Sequence, residues 1–147
     1  AIFVDYTKSF DLLNRSLILR NLEGITGRTY ITRLLRNILG NNTIIIDDNV
    51  TRSNPLQQTN GVLQGDPLSP LLFLIATAHI PQKVATENVK VYIYADDMVL
   101  VSRDIDNLQK AFNKLVVWAE ENELVINKDK TEMMTSRKGG RQPPAIE

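Results

Sequence analysis

The sequence predicts an α+β fold, with helices packed on one face of an antiparallel sheet. Three observations carry this. Ala1-Ile-Phe-Val4, Val91 to Tyr94 and Met98 to Val101 are short apolar runs rich in Val, Ile and Tyr, the composition of strands. The last two runs are separated only by Ala95-Asp96-Asp97, a break short enough for a tight hairpin. Helical spacing of apolar residues recurs between the strands, as in Ile31, Leu34, Leu35, Ile38 and Leu39.

Taken in order, the first strand ends at Asp5, which its C-terminal end presents. A polar turn, Tyr6 to Asp11, carries one more aromatic, Phe10. Leu12, Leu13, Leu17, Leu19 and Leu22 mark a first helix, stopped near Gly24. The second helix presents Ile31 to Leu39 as one apolar stripe and stops at Gly40. Thr43-Ile-Ile-Ile46 reads as a strand and Asp47-Asp-Asn49 as its turn. The polar stretch Val50 to Gln58 returns as an edge strand, because Pro55 does not fit a central position. Gly61 to Pro70 is loop-like. Ser69 then caps a buried helix over Leu71 to Ala78, with Pro70 at its first position and an end near Pro81. After the 91–101 hairpin, Asp104 or Asp106 caps a long helix through Leu108, Ala111, Phe112, Leu115, Val116 and Ala119. Leu124-Val-Ile126 and Thr131 to Thr135 read as short strands. Residues 1–136 are expected to form one domain. Residues 137–147, rich in Gly, Pro and basic residues, are expected to form a flexible tail.

Composition narrows the function classes. The chain has 147 residues, 43% hydrophobic and 23% charged, enough for one domain with a real core. It has no cysteine, which removes disulfide frameworks and cysteine-ligated zinc and fits an intracellular setting. The longest apolar run, Leu71 to Ala76, is far short of the ~20 residues of a membrane helix, so no membrane partner is expected. Lys+Arg and Asp+Glu both number 17, so the chain lacks the basic excess of most nucleic-acid binders. Any such function must rest on a local site or on segments outside this span. Opening on Ala within a strand-like run, the chain reads as a segment of a longer protein.

The antiparallel arrangement can set the end of the first strand beside the tip of the central hairpin, so that Asp5 meets Asp96 and Asp97. Two unit charges 4 Å apart repel by about 4 kcal/mol at an effective dielectric of 20. Three clustered carboxylates are therefore either open to water or neutralised by a cation. Oxygen ligands without His or Cys favour Mg2+ or Mn2+ over zinc, and a pair of such ions can serve phosphoryl transfer. The plain alternative is that Asp96 and Asp97 are turn residues bonding local backbone.

Four motifs, in order, carry a resemblance. Phe3-Val-Asp5-Tyr-Thr-Lys-Ser-Phe10-Asp11 is the first and Gly61-Val-Leu-Gln64-Gly65-Asp-Pro-Leu-Ser-Pro-Leu-Leu-Phe73 the second. Tyr94-Ala-Asp96-Asp97 and Leu124-Val-Ile-Asn127-Lys-Asp-Lys130-Thr131 follow. Together they resemble the palm of a reverse transcriptase, above all the LINE-type, non-LTR retrotransposon enzymes. The likeness covers residues 1 to about 135. It departs at Leu74, where that family commonly has Asn.

The resemblance implies an RNA-directed DNA polymerase palm performing two-metal nucleotidyl transfer from a dNTP to a primer 3′-hydroxyl. Asp5, Asp96 and Asp97 would hold two Mg2+ ions, Mn2+ being the substitute, with the main-chain carbonyl of Tyr6 a further ligand. Phe10 would be the steric gate against a ribose 2′-hydroxyl, which disfavours an RNA-copying RNA polymerase. Gln64 and Gly65 would lie beside the nascent base pair and Tyr94 near the primer end. Lys130 would give a proton to pyrophosphate, with Lys128 its rival. Implied partners are an RNA template, a DNA primer, dNTP, and the fingers and thumb of a parent polyprotein. The implied location is a retrotransposon ribonucleoprotein in cytoplasm and nucleus. Local readings stand beside these: Phe10 as core packing, Gln64-Gly65 as turn chemistry, Lys130 as a solvated charge and Tyr94 as strand packing. Asp11 is expected as an acid at the first helix's N-terminus, Asp66 similarly before the third helix, and His79 and Trp118 as structural residues. A second reading of the whole chain is an inactive or repurposed retroelement remnant, a folded binding module without chemistry.

Overall fold

The computed structural model describes residues 1–136. Eleven elements lie among them: β1 (Ile2–Val4), α1 (Arg15–Thr26), α2 (Tyr30–Gly40), β2 (Thr43–Ile44), β3 (Leu56–Gln57), α3 (Ser69–Thr77), α4 (Ile80–Val84), β4 (Lys90–Tyr94), β5 (Asp97–Val101), α5 (Ile105–Glu121) and β6 (Glu132–Met133). The chain divides into two compact units. One combines Ala1–Ser9 with the described residues from Thr77 onward; the other is Phe10–Ala76. The expected tail, 137–147, lies outside the described residues.

The first unit is a four-stranded antiparallel sheet in the order β4-β5-β1-β6, with α4 and α5 packed on β4 and β5. Strand alternation sorts its residues onto two faces. Ile2, Val4, Met98 and Leu100 are buried on the helix-covered face, where Ile80, Val84, Leu108, Ala111 and Leu115 meet them as one apolar layer. Tyr92, Val99 and Phe3 are paired partners across β4, β5 and β1 on the opposite face, and Phe3 and Tyr92 there are exposed. The expected antiparallel sheet with helices on one face is thus present. Asp104 caps α5, accepting from the main-chain N–H groups of Asp106 and Asn107. Trp118 and Ala119 are buried on α5, as packing requires.

The second unit is helical, with a two-stranded β2-β3 ribbon. Several expectations need correcting here. The α1 helix does not begin at Leu12, because Asn14 caps it with a side-chain oxygen that accepts from the N–H groups of Ser16 and Leu17. Gly24 does not stop it; the chain leaves the helix at Gly27, in the left-handed region. Asp11 therefore lies before the cap and outside the first turn. In α2 Thr32, Leu35 and Leu39 are buried, while Ile31, Leu34 and Ile38 are exposed, so the apolar stripe is covered only in part. The expected strand Thr43–Ile46 shortens to Thr43–Ile44. Beyond it the ribbon continues through a bridge between Asp47 and Arg52.

The α3 helix opens at Ser69, whose hydroxyl donates to the Leu63 carbonyl instead of capping; Asp66 serves the turn before it, accepting from the Leu68 N–H. Pro81 does not merely end a helix. It occupies the first turn of α4, where the lost N–H costs nothing, with His79 at the cap position. Leu124-Val-Ile126 makes a single bridge, Tyr6 to Ile126, and not a strand.

Candidate active site

Asp5 follows β1 directly. The β1–β5 register pairs Val4 with Met98, so one further step sets Asp5 opposite Asp97. Asp97 opens β5 and pairs with Tyr94 across the hairpin, leaving Ala95-Asp96 as the turn. Ala95 takes φ 52, the left-handed region that a Cβ disfavours. Alternation puts Asp5, Asp97 and Tyr94 on the same face as Phe3, Val99 and Tyr92, away from the helices. Tyr94 is 83% exposed there.

The backbone of Asp5 is fixed on both sides. Its carbonyl accepts from the Asn127 N–H at 2.8 Å, and its own N–H donates to Thr131 Oγ1 at 3.3 Å. The ring of Tyr6 is buried, its hydroxyl donates to Met98 Sδ at 3.9 Å, and burial pushes the phenol well above its usual pKa range. The Tyr6 side chain is thus committed to the core. Lys8 then takes φ 49 and turns the chain so that Ser9, itself buried, donates its hydroxyl to Asp96 Oδ2 at 2.8 Å. Sequence reading passed over Ser9, because nothing in local spacing connects it to a residue 87 positions away.

These carboxylates are an oxygen-only donor set, borne on adjoining backbone ends, and of a kind that suits a hard divalent cation. Among the described residues, no three acidic or His side chains are gathered closely enough to hold a metal. The register brings the backbones of Asp5 and Asp97 together, and Ser9 holds one oxygen of Asp96.

The lysine candidates sit on one turn. Asn127 Oδ1 accepts from the N–H groups of Asp129 and Lys130, and the Thr131 N–H closes on the Asn127 carbonyl. Lys128 and Lys130 are both exposed. Lys128 helps line an open cleft of about 1270 Å³ between α5 and the 124–133 segment, with Phe112 and Val116; Lys130 is not among its lining residues.

In the second unit, Phe10 is half-buried, its ring centroid 5.4 Å from that of Phe73 at 30°. Its carbonyl accepts from the Val62 N–H at 2.8 Å, and the Leu13 carbonyl from the Gly61 N–H at 2.8 Å. Gln64 Nε2 donates to Asp11 Oδ1 at 3.1 Å, which gives Asp11 a partner other than a helix dipole. A Cβ on Gly61 would lie 2.3 Å from the Asp11 carbonyl oxygen, so only glycine fits. Gly65 takes φ 87 with open space around it; its requirement is conformational, not steric. Gly61 and Arg15 were missed in the sequence because their partners are distant carbonyls.

Comparisons with known proteins give a family for the sequence and a likeness of fold for the structure. The sequence model of the family described as reverse transcriptase (RNA-dependent DNA polymerase) matches residues 1–143. The Pol polyprotein of the type-1 retrotransposable element R2 from Nasonia vitripennis is 26% identical over 130 residues, covering 80% of this chain and 12% of that polyprotein. Among solved structures, apo telomerase from Candida tropicalis, truncated from its C-terminal domain, superposes with a TM-score of 0.79 at 18% identity. That match covers 95% of this chain and 31% of the telomerase. Telomerase from Candida albicans, in complex with a fragment of telomeric RNA, gives a TM-score of 0.61 at 14% identity, over 95% and 27% respectively. At such identities the telomerases show the likeness of fold.

Proposed function

This chain belongs to the reverse transcriptase (RNA-dependent DNA polymerase) family, and from that premise we propose that it is the catalytic palm of an RNA-directed DNA polymerase of the non-LTR retrotransposon kind. Its substrates are a dNTP and the 3′-hydroxyl of a DNA primer, on an RNA template. The observation that carries the reading is the strand register: Asp5 opposite Asp97, with Asp96 on the adjoining turn and all at one end of one sheet.

In this reading Asp5, Asp96 and Asp97, with the Tyr6 carbonyl, hold two Mg2+ ions, Mn2+ being the substitute. Bound there, the ions supply Lewis-acid activation of the primer hydroxyl and neutralise the triphosphate. The chain's own residues do the rest. Phe10 closes the space a ribose 2′-hydroxyl would need. Gln64 and Gly65 flank the nascent base pair, and Tyr94, on the face of Asp97, supports the primer end. Lys130 gives a proton to the departing pyrophosphate, Lys128 being the one that lines the cleft beside α5. The polymerase works within a ribonucleoprotein that passes through cytoplasm and nucleus, together with fingers and thumb segments of its parent polyprotein.

The test is Mn2+ titration of residues 1–147 with paramagnetic NMR broadening, beside primer extension by the full-length polymerase. Broadening confined to residues around Asp5 and Ala95–Asp97, lost in Asp96→Ala, is expected. Asp96→Ala is also expected to lower extension by at least about a thousandfold. Full extension by Asp96→Ala would sink the proposal. The carboxylates are not gathered among the described residues, which favours a second reading of the chain by itself: a folded remnant that binds but does no chemistry. Accordingly residues 1–147 alone are expected to extend primers poorly or not at all; robust extension by them would exclude the remnant.

A further inference from the structure

We infer that Arg15 is a specificity-positioning residue, a buried guanidinium that sets the distance between Phe10 and the Gln64–Gly65 loop and so tunes discrimination against ribonucleotides. The inference rests on the polymerase reading above.

Arg15 is only 7% exposed, and no carboxylate lies within ion-pair reach of it among the described residues. It donates instead to three main-chain carbonyls. Nε binds the Gly61 carbonyl at 2.8 Å, and Nη1 binds those of Leu39 and Gln58. Nη2 and the buried Oε1 of Gln58 have no partner among the described residues. Burial pulls the guanidinium below its usual pKa. As a stabilising device the arrangement is poor, since a buried cation without a counter-charge is costly and an apolar side chain fills such a site at less cost. An apolar side chain cannot, however, hold three carbonyls from two segments at once.

Of these carbonyls, that of Gly61 leads to Phe10. The Gly61-Val62 peptide is tied on its N–H side to the Leu13 and Phe10 carbonyls, and Arg15 ties Gly61 on its carbonyl side. Gly61 meets the Asp11 carbonyl so closely that a Cβ there would force the backbone to shift. Three residues on, Gln64 reaches back to Asp11. Arg15 thus braces one side of a loop whose other side carries the gate. It touches neither substrate nor the gate ring; it acts through Gly61.

The experiment is single-nucleotide insertion kinetics in the full-length polymerase that carries this palm, comparing each dNTP with its ribonucleotide. Arg15→Lys and Arg15→Met are expected to lower the discrimination ratio by about tenfold or more, through a lower KM for the ribonucleotide, with kcat for the dNTP held within about threefold. Gly61→Ala, which disturbs the same brace from the backbone, is expected to relax the ratio likewise. Leu115→Ala, in the other unit, destabilises the protein but leaves the ratio alone. Equal losses for both sugars in the Arg15 variants would overturn the inference and make Arg15 structural only. If the Arg15 variants fail to fold, an unchanged ratio in Gly61→Ala overturns it. Phe10→Ala separates this from the reading beneath it: unchanged discrimination there removes the gate itself, and Arg15's role with it.

Discussion

Asp96 is bracketed by two non-glycine residues in the left-handed region, Ala95 before it and Lys8 on the segment that delivers Ser9. Such backbones cost of order 1–3 kcal/mol each and persist where surrounding contacts over-determine them. The contact they serve here is the Ser9–Asp96 hydrogen bond. Ser9→Ala should raise the apparent Mn2+ dissociation constant of residues 1–147 by about ten- to a hundredfold, the worth of one hydrogen bond to a charged group. Water-proton relaxation would measure it, and an unchanged constant would show that the bond does not preset the carboxylate. The acids themselves were legible in the sequence, because two adjacent Asp between strand-like runs are a local pattern. Ser9, Arg15 and Gly61 were not, since each is defined by a partner that folding alone brings near.

At the level of elements, periodicity located every helix except α4, hidden because Pro81 reads as a stop when it stands in a first turn. For α2, spacing shows a stripe but cannot show how much of it a neighbour covers. The paired core of the sheet is less ambiguous. Leu100 is fully buried opposite Ile2, and Leu100→Ala should cost about 2–5 kcal/mol, read by urea denaturation. The β2–β3 ribbon responds to pH instead. Asp48 accepts from the N–H groups of Thr51 and Val50, and these bonds hold its carboxyl below the usual Asp range. A depressed pKa means the ordering is present above the unfolded value and is lost as pH falls through the folded one. The Thr51 and Val50 amide resonances should therefore stay constant at neutral pH and move together only below the ordinary Asp range. Asp48→Asn should abolish that transition; persistence of it would assign the effect to another group.

For the molecule as a whole, exposed apolar area stands out. Phe3, Tyr92 and Tyr94 line one sheet face, and Ile31, Leu34 and Ile38 lie exposed on α2. Patches of this kind are seldom left uncovered in soluble monomers. Residues 1–147 should self-associate as concentration rises, seen by sedimentation velocity, and Ile31→Lys with Ile38→Lys should reduce it. Concentration-independent sedimentation as a monomer would refute this. The chain spans 12% of the R2 polyprotein it matches, and composition gave no clue to which faces would be open: neutral net charge and an ordinary apolar fraction describe a whole surface, not its parts.

The double fastening of Asp5 bears on how this chain tolerates change in length. Its carbonyl is held by the Asn127 N–H and its amide by Thr131 Oγ1, two grips separated by a single tight turn. An extra residue anywhere from Lys128 to Lys130 would release one grip or the other, so this turn has no freedom to grow or shrink. The loop around Asp48 to Thr51 is fastened within itself, Asp48 Oδ1 accepting from the Val50 and Thr51 N–H groups. An epitope or a fluorophore spliced into that loop should leave Asp5 where it is, and the same insertion after Asn127 should displace it.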